Sequence, residues 1–198
     1  MSSEGKLART RQEILDSAWD LVSARGADVP IAAIASAAGI SRQSVYLHFG
    51  SRGGLLMALV RRADERFEIR DRMFRAFGEE DPRLRLDRVI AVWLEFVRQI
   101  VPVATDLIRL RATDADAAGA WEDRMAELRS WLRELTTSLQ RDGALCDAWN
   151  CADAADYLWA AFSVQNWCLL VHDCGWPEDR AEAVLRRTIS DALLRRQD

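Results

Sequence analysis

Apolar residues recur at intervals of three and four positions along most of this 198-residue chain, the spacing that places them on one face of a helix. The first such stripe runs from Ile14 to Val22, and the last runs from Ala181 to Leu193. Between them, no stretch shows the sustained alternation of apolar and polar residues that is typical of a half-buried strand. The pattern therefore predicts an all-α protein.

A short turn separates two of the predicted helices near the N-terminus. Gly39 stands where the first of them ends, a position that favours a residue without a side chain. Ser41 is placed to accept a backbone N–H from the first turn of the next helix. The apolar stripe of the preceding helix consists of Ile31, Ile34, Ala35 and Ala38. Two short helices joined in this way predict a helix-turn-helix, whose second helix enters the major groove of duplex DNA.

Further helices flank this pair. The helix before it is expected to end at Gly26, and the polar start of the chain, residues 1–10, is expected to be a flexible arm. Phe49 closes the recognition segment. Ser51 is expected to cap a longer helix that continues to about Gly78.

Residues 10–60 resemble the DNA-binding domain of the TetR family of bacterial transcriptional regulators. The resemblance rests on an ordered set without a gap: Thr10, Ile14-Leu15, Ala18, Gly26, Ile34-Ala35, Ala38-Gly39-Ile40-Ser41, Tyr46, Phe49, Ser51-Arg52 and Leu55-Leu56. Pro30 departs from the family pattern, because a threonine that caps the second helix and touches a phosphate is usual there. Ala32-Ala33 also replaces more polar residues, so fewer phosphate contacts are expected from this helix.

The resemblance implies phosphate contacts for three residues at the end of the recognition helix and the start of the next. These are Tyr46, His48 and Arg52, the last of which replaces a more common lysine. An arginine guanidinium can donate to two phosphate oxygens at once, and the N-terminus of the following helix favours an anion. The alternative is that Tyr46 is a packed aromatic residue and His48 an ordinary surface residue.

Base recognition is expected from the first turn of the recognition helix. Behind the capping Ser41, the exposed residues there are Arg42, Gln43 and Ser44. Arginine pairs well with guanine and glutamine with adenine in the major groove. The alternative is that Arg42 is simply a solvated charge.

The overall charge is not that of a general nucleic-acid binder. The chain has 27 Lys and Arg against 31 Asp and Glu, a net charge of −4. Residues 1–53 hold six basic and five acidic residues, a net charge of +1, so the remainder carries −5. We therefore expect site-specific binding with weak non-specific affinity, and a division into a DNA-binding domain at residues 1–53 and an effector-binding and dimerisation domain at residues 54–198.

The second domain is predicted to be a helical bundle. Pro82 is expected to start a helix that Pro102 breaks, and Gly143 is expected to end a later long helix. The expected segments are helices at about 82–101, 103–111, 120–142, 153–173 and 177–194, with a loop at 112–119.

The last two helices are candidates for a homodimer interface. The penultimate helix has few polar positions, which indicates that it is covered on more than one face, and the family forms a four-helix bundle from this pair. The expected interface residues are Ala160, Val164, Trp167, Val171, Val184, Leu185, Thr188 and Ile189. The alternative is a monomer that buries both faces. A homodimer predicts a near-palindromic DNA operator.

Aromatic residues on the inner stripes of several helices are candidates for an effector pocket, where the resemblance places one. The expected lining is Trp93, Phe96, Trp121, Met125, Trp159 and Phe162, with polar contacts from Gln165 and Asn166. The alternative is that these rings fill a solid core. The expected ligand is a small hydrophobic or aromatic molecule that releases a repressor from its operator; a protein-controlled regulator or an activator are the other possibilities.

Other chemistry has little support in the sequence. The four cysteines lie late in the chain without a Cys-x-x-Cys pair, and only Cys168 and His172 share a helix face as possible metal ligands, which is too few for a site. No phosphate-binding glycine loop or nucleophile elbow occurs, so we expect no enzyme activity, cofactor or metal. No long apolar run or secretory signal is present, and a cytoplasmic protein that does not bind membranes is expected.

Overall fold

The computed structural model describes residues 3–25 and 29–196, and within these ranges it is all-α, as predicted. The helices are α1 Ser3–Arg25, α2 Ile31–Ala37, α3 Arg42–Phe49, α4 Arg52–Arg66, α5 Ile69–Phe77, α6 Pro82–Leu110, α7 Ala115–Arg141, α8 Cys151–Ala161, α9 Val164–Cys168 and α10 Glu178–Leu193. A π-helical turn, Leu169–Asp173, continues α9. The one extended pairing in the described ranges is a single bridge between Leu145 and Leu194.

The chain packs as two compact units. The first comprises residues 1–66 and 100–123, and the second comprises residues 67–99 and 124–198. This division differs from the expected boundary after residue 53, because all of α4 and the C-terminal part of α6 pack with the N-terminal helices. In the first unit α4 contacts both α1 and α3.

Short-range signals set the helix-turn-helix. Pro30 precedes α2 without a side-chain cap, and Ser41 caps α3 as predicted. Gly39 has a positive φ of 66°, which is the conformation that favours glycine at the end of a helix. The apolar side chains of Ile31 and Ile34 are buried beneath the turn.

Two predictions for the N-terminal half are wrong, the flexible arm at residues 1–10 and the single helix from Ser51 to about Gly78. The arm predicted for residues 1–10 is helical from Ser3 onward, and the predicted end at Gly26 lies outside the described residues. The helix expected from Ser51 to about Gly78 is interrupted after Arg66, where Glu68 adopts a left-handed conformation with φ 49°. No glycine or proline marks that interruption in the sequence.

Two later boundaries also differ from the prediction. Helix α6 continues through Pro102, because Ile100, Val103 and Leu107 on its two sides are buried. The predicted loop 112–119 is shorter, since α7 begins at Ala115.

The helix expected at residues 153–173 is divided between α8 and α9. Ser163 caps α9 by accepting the Asn166 N–H at 3.1 Å. The preceding carbonyl of Phe162 accepts the Trp93 indole N–H at 2.8 Å instead of a helical amide. A side chain from a distant helix therefore satisfies the backbone at this break.

Candidate functional site

Helix α3 presents the residues predicted to read bases. The Ser44 amide donates to the Ser41 hydroxyl at 3.1 Å, which confirms the cap and fixes the start of the helix. Val45 and Phe49 are buried on the inner face. Arg42 and Gln43 are exposed, and Ser44 is half-buried. The first turn therefore offers a guanidinium and an amide to the solvent.

The next turn of α3 is exposed as well. Tyr46 is 42% exposed and Leu47 is 82% exposed, whereas His48 is half-buried beside Phe49, with ring centroids 6.2 Å apart. Leu47 was absent from the predicted site. Its outward position follows from helical phase, because Val45 and Phe49 two residues to either side both face inward.

Phe49 anchors α3 to the rest of the helix-turn-helix. The guanidinium of Arg11, from α1, lies 4.6 Å above the centre of the Phe49 ring, within the range of a cation–π contact. The ring is buried on the inner side of α3. Arg11 of α1 therefore contacts the inner face of α3 through the Phe49 ring.

Arg52 is largely buried and has its hydrogen-bond partners inside the protein. Its side chain is about one fifth exposed, and its Nε donates to Asp106 at 3.1 Å while Nη2 donates to the same carboxylate. Nη1 donates to the Val29 carbonyl at 2.6 Å, and Asp106 also accepts Arg109 at 2.7 Å. In this structure the guanidinium therefore forms an internal ion pair, and the phosphate contact of Arg52 stays a prediction. Sequence position could not reveal this ion pair, because Asp106 is 54 residues away.

Carboxylates also occupy the N-terminus of α4, where a phosphate was expected. The Gly53 amide donates to Asp114 at 3.2 Å, and the Gly54 amide donates to Ser51 at 3.0 Å, which confirms the predicted cap. The Ser51 hydroxyl in turn donates to Asp116 at 2.5 Å. Asp114 accepts the Ala117 amide at 3.0 Å as well, so one carboxylate caps α7 and contacts α4.

Part of the predicted effector lining forms a packed aromatic cluster in the second unit. The rings of Trp93 and Phe162 are stacked, with centroids 5.9 Å apart and an interplanar angle of 11°. Phe96 contacts Trp93 at 5.8 Å and Phe67 at 6.3 Å. Trp93, Phe96 and Phe162 are each buried. In the structure these three rings fill space with one another.

The other predicted lining residues are dispersed. Trp121 belongs to the first unit, where Arg111 lies 5.7 Å from its ring centre. Met125 is half-buried and Gln165 is exposed. Asn166 is half-buried and donates through Nδ2 to the Ala161 carbonyl at 3.1 Å, so its amide serves the break between α8 and α9.

Trp159 is a predicted lining residue whose indole N–H lacks a hydrogen-bond acceptor among the described residues. Its Nε1 atom is buried. The Arg129 guanidinium lies 4.1 Å above its ring centre. A buried donor without an acceptor is costly, typically by about 1–3 kcal/mol.

The predicted dimer residues fall into two groups. Trp167, which contacts the Arg98 guanidinium at 5.3 Å, is buried in the core of the protomer, and so are Val164, Leu185 and Ile189. These four are core residues and are not available to a partner. Ala160 and Thr188 are exposed, and Val171 and Val184 are half-buried.

Cys168 and His172 were the possible metal ligands on one helix face. Cys168 is half-buried at the end of α9, and His172 is exposed in the π-helical turn. In the ranges 3–25 and 29–196, no group of three His, Cys, Asp or Glu residues is arranged to hold a metal ion. None of the described helices is both long enough and apolar enough to span a bilayer.

Residues 14–59 match the profile of a family described as "Bacterial regulatory proteins, tetR family". This segment contains α2, α3 and about half of each of α1 and α4. No curated protein matches the chain.

Solved structures resemble the chain over almost its whole length. A candidate transcriptional regulator from Saccharomonospora viridis in complex with choline is 23% identical, covers 96% of this chain and 100% of its own, and has a TM-score of 0.79. A candidate TetR-family regulator from Rhodococcus sp. is 19% identical, with coverages of 94% and 99% and a TM-score of 0.70. The FadR regulator of Bacillus subtilis in complex with stearoyl-CoA is 15% identical, with coverages of 91% and 98% and a TM-score of 0.69.

The family profile covers the helix-turn-helix, and the structural likeness extends the fold to the remaining helices. The Ser41-capped helix and its buried inner face lie within the segment that the profile matches. Residues 14–59 therefore match the TetR family of bacterial regulatory proteins, and the chain as a whole shares the fold of solved transcriptional regulators.

Proposed function

We propose that this regulator binds a near-palindromic DNA operator as a homodimer and acts as a repressor that a small molecule releases. The observation that carries the DNA-binding part is the outer face of α3. Arg42 and Gln43 are exposed there on a helix whose start is fixed by Ser41. These side chains match guanine and adenine edges in the major groove.

Phosphate contacts in this proposal come from Tyr46 and His48. Tyr46 is exposed and His48 half-buried at the C-terminal end of α3, so both can reach a backbone that borders the groove. Arg52 has a positioning role instead, because its guanidinium is engaged by Asp106 and the Val29 carbonyl. It holds the starts of α2 and α4 against α6.

Salt dependence tests this division of roles. DNA would be selected from random duplexes, and the affinity for the selected site measured at several salt concentrations. Each lost phosphate contact reduces the slope of log affinity against log salt by about 0.9. We expect Arg52→Met to lower affinity with the slope unchanged, and Arg42→Ala to relax preference at one position of the site. A slope that falls by one contact in Arg52→Met would return Arg52 to the phosphate-binding group.

A dimer is supported by the accessible residues of α8 and α10. Val184 and Thr188 lie one turn apart on α10, and Ala160 is exposed on α8. Together they offer small and apolar side chains to a second copy, and two-fold symmetry would then present two α3 helices to two half-sites. Removal of α10 cannot test this, because Ala181, Leu185, Ile189 and Leu193 on its inner face belong to the core of the protomer.

An effector is supported by the buried indole N–H of Trp159. A ligand with an acceptor oxygen and a planar apolar body would satisfy Nε1 and pack near the other aromatic residues of the second unit. Similar folds hold quite different ligands, since one neighbour was solved with choline and another with stearoyl-CoA. Helix α6 carries both Trp93 and Asp106, the partner of Arg52, so a ligand that favours one position of α6 would alter DNA binding.

Tryptophan fluorescence during titration with planar hydrophobic compounds tests the effector. A binder should change the emission and weaken operator affinity, and Trp159→Phe, which removes the N–H and keeps an aromatic ring, should weaken its binding. Arg129→Ala controls for the loss of the cation–π contact, and it also removes the Arg129–Asp156 ion pair at 3.1 Å. Operator binding that no compound in a broad panel alters would favour a regulator controlled by a protein partner. The sign of regulation follows from a promoter-reporter assay with and without the gene.

A further inference from the structure

Leu47 is the most exposed large apolar side chain in the described part of the chain, at 82%. Scattered exposed leucines are common on protein surfaces and by themselves indicate nothing. Leu47 differs because of where it lies. It is on the outer face of α3, one turn after Gln43 and next to the exposed Tyr46.

The phase of α3 places Leu47 on the exposed face of the helix, opposite the buried Val45 and Phe49. A major groove about 12 Å wide admits an α-helix with this face turned toward the bases. Val45 and Phe49 face inward, so the outward side chains of both turns point toward the DNA. Leu47 then meets a base edge or the groove wall.

The chemistry of the major groove limits which group of a base edge a leucine can contact favourably. The base edges there carry hydrogen-bond donors and acceptors and one apolar group, the C5-methyl of thymine. Leucine can neither donate nor accept a hydrogen bond, so a polar edge against it would lose water without compensation. Two methyl-bearing groups in contact avoid this cost and remove apolar surface from water.

We infer that Leu47 recognises the C5-methyl group of a thymine in each half-site of the operator. The inference rests on the proposed DNA-binding function and adds one specified base pair to it. Arg42 and Gln43 act through hydrogen bonds, whereas Leu47 acts through apolar contact. The operator half-site therefore contains an A·T pair at the position that faces the second turn of α3.

Replacement of single thymines by deoxyuridine tests the inference, because deoxyuridine lacks only the methyl group. Each operator variant would carry a single replacement, and the thymines of both half-sites would be replaced in turn. For the wild type, one position should lower affinity by about three- to tenfold, the effect of losing one buried methyl contact. Leu47→Ala should bind the unmodified site more weakly and show no further loss at that position.

Two variants make the result specific. Leu47→Met keeps an apolar side chain of similar size and should retain the sensitivity to deoxyuridine. Leu84→Ala removes another leucine, 47% exposed but on α6, and should behave as wild type. Because Leu47 is almost fully exposed, Leu47→Ala should unfold at the wild-type temperature, which excludes misfolding as the cause.

The outcomes separate this inference from the function on which it rests. If the wild type binds its operator and no deoxyuridine position matters, Leu47 reads no methyl group and the DNA-binding proposal stands. If Leu47→Ala keeps the sensitivity, another residue such as Tyr46 contacts the methyl and the inference is overturned. If the wild type prefers no duplex sequence at all, both proposals fail together.

Discussion

The carboxylate of Asp106, which is completely buried, holds the guanidinium of Arg52 through both Nε and Nη2. Arg52 begins α4, directly behind the recognition helix, and Asp106 lies near the end of α6. A charge removed from water in this way is favourable only while its partner remains. The pair therefore joins the helix-turn-helix to the C-terminal part of α6 within one packed unit.

Loss of either Arg52 or Asp106 should lower the free energy of unfolding. We expect Asp106→Asn to lower the free energy of unfolding by about 3 kcal/mol, since it leaves the Arg52 guanidinium without its counter-ion in a largely buried place. Arg109 donates to the same carboxylate but its side chain is 56% exposed, so Arg109→Ala should cost no more than about 1 kcal/mol. Urea unfolding measures both. Equal losses in the two variants would show that the Arg52 contact is no stronger than a surface pair.

Gly53 and Gly119 should respond in opposite ways to the same substitution. A Cβ at Gly53 would overlap the Ala117 amide nitrogen and the Asp114 carboxylate, so Gly53→Ala should destabilise the protein by about 1–3 kcal/mol. A Cβ at Gly119, also helical, would meet no other atom within 4 Å, and Gly119→Ala should stabilise it by about 0.5–1 kcal/mol. Thermal unfolding of the two variants gives the comparison. A tolerated Gly53→Ala would mean that the turn before α7 moves away from α4.

Asp142 should make stability depend on acid pH. Hydrogen bonds from Arg85, and next from Arg141, lower the pKa of its carboxyl group below the ordinary value. As the folded pKa is the lower one, the unfolded chain takes up the proton first when the pH falls. This contribution to stability is therefore complete above the ordinary carboxyl pKa, near 4, and is lost as the pH falls through the folded pKa.

Asp142→Asn tests this dependence. The variant should be less stable than wild type near neutral pH, and the difference should shrink between about pH 4 and the lower folded pKa. Asp191→Asn, on the exposed surface of α10, controls for the removal of one carboxylate. A stability difference for Asp142→Asn that stays constant across the acid range would contradict the lowered pKa.

Charges introduced on the accessible face of α10 should separate the proposed dimer. Val184→Asp together with Thr188→Asp would place two carboxylates at the contact with the second copy, and we expect monomers in analytical ultracentrifugation with at least tenfold weaker operator binding. Thr137→Asp, exposed on α7, is the control. If the double variant remains a dimer, the interface lies on another face of the chain.

The sequence alone determined features whose causes lie within a few residues. Ser41 and Ser51 cap helices because their hydroxyls meet amides three positions later. Gly143 follows the end of α7 with a positive φ, and Pro82 begins α6. The helical periodicity likewise established the fold class and the face of α2 on which Ile31, Ile34 and Ala35 are buried.

Only the tertiary structure decided features that depend on distant neighbours. Arg52 could be assigned to a phosphate from its motif position, but its actual partner is brought to it by the packing of α6. Pro102 is a helix breaker by local rules, yet burial on both sides keeps α6 intact. The aromatic stripe gave no indication of which rings meet, and Trp93 and Phe162 stack across 69 residues. Local backbone preferences can be read from neighbouring residues, whereas the partner of a side chain is decided by which helix the fold packs against it.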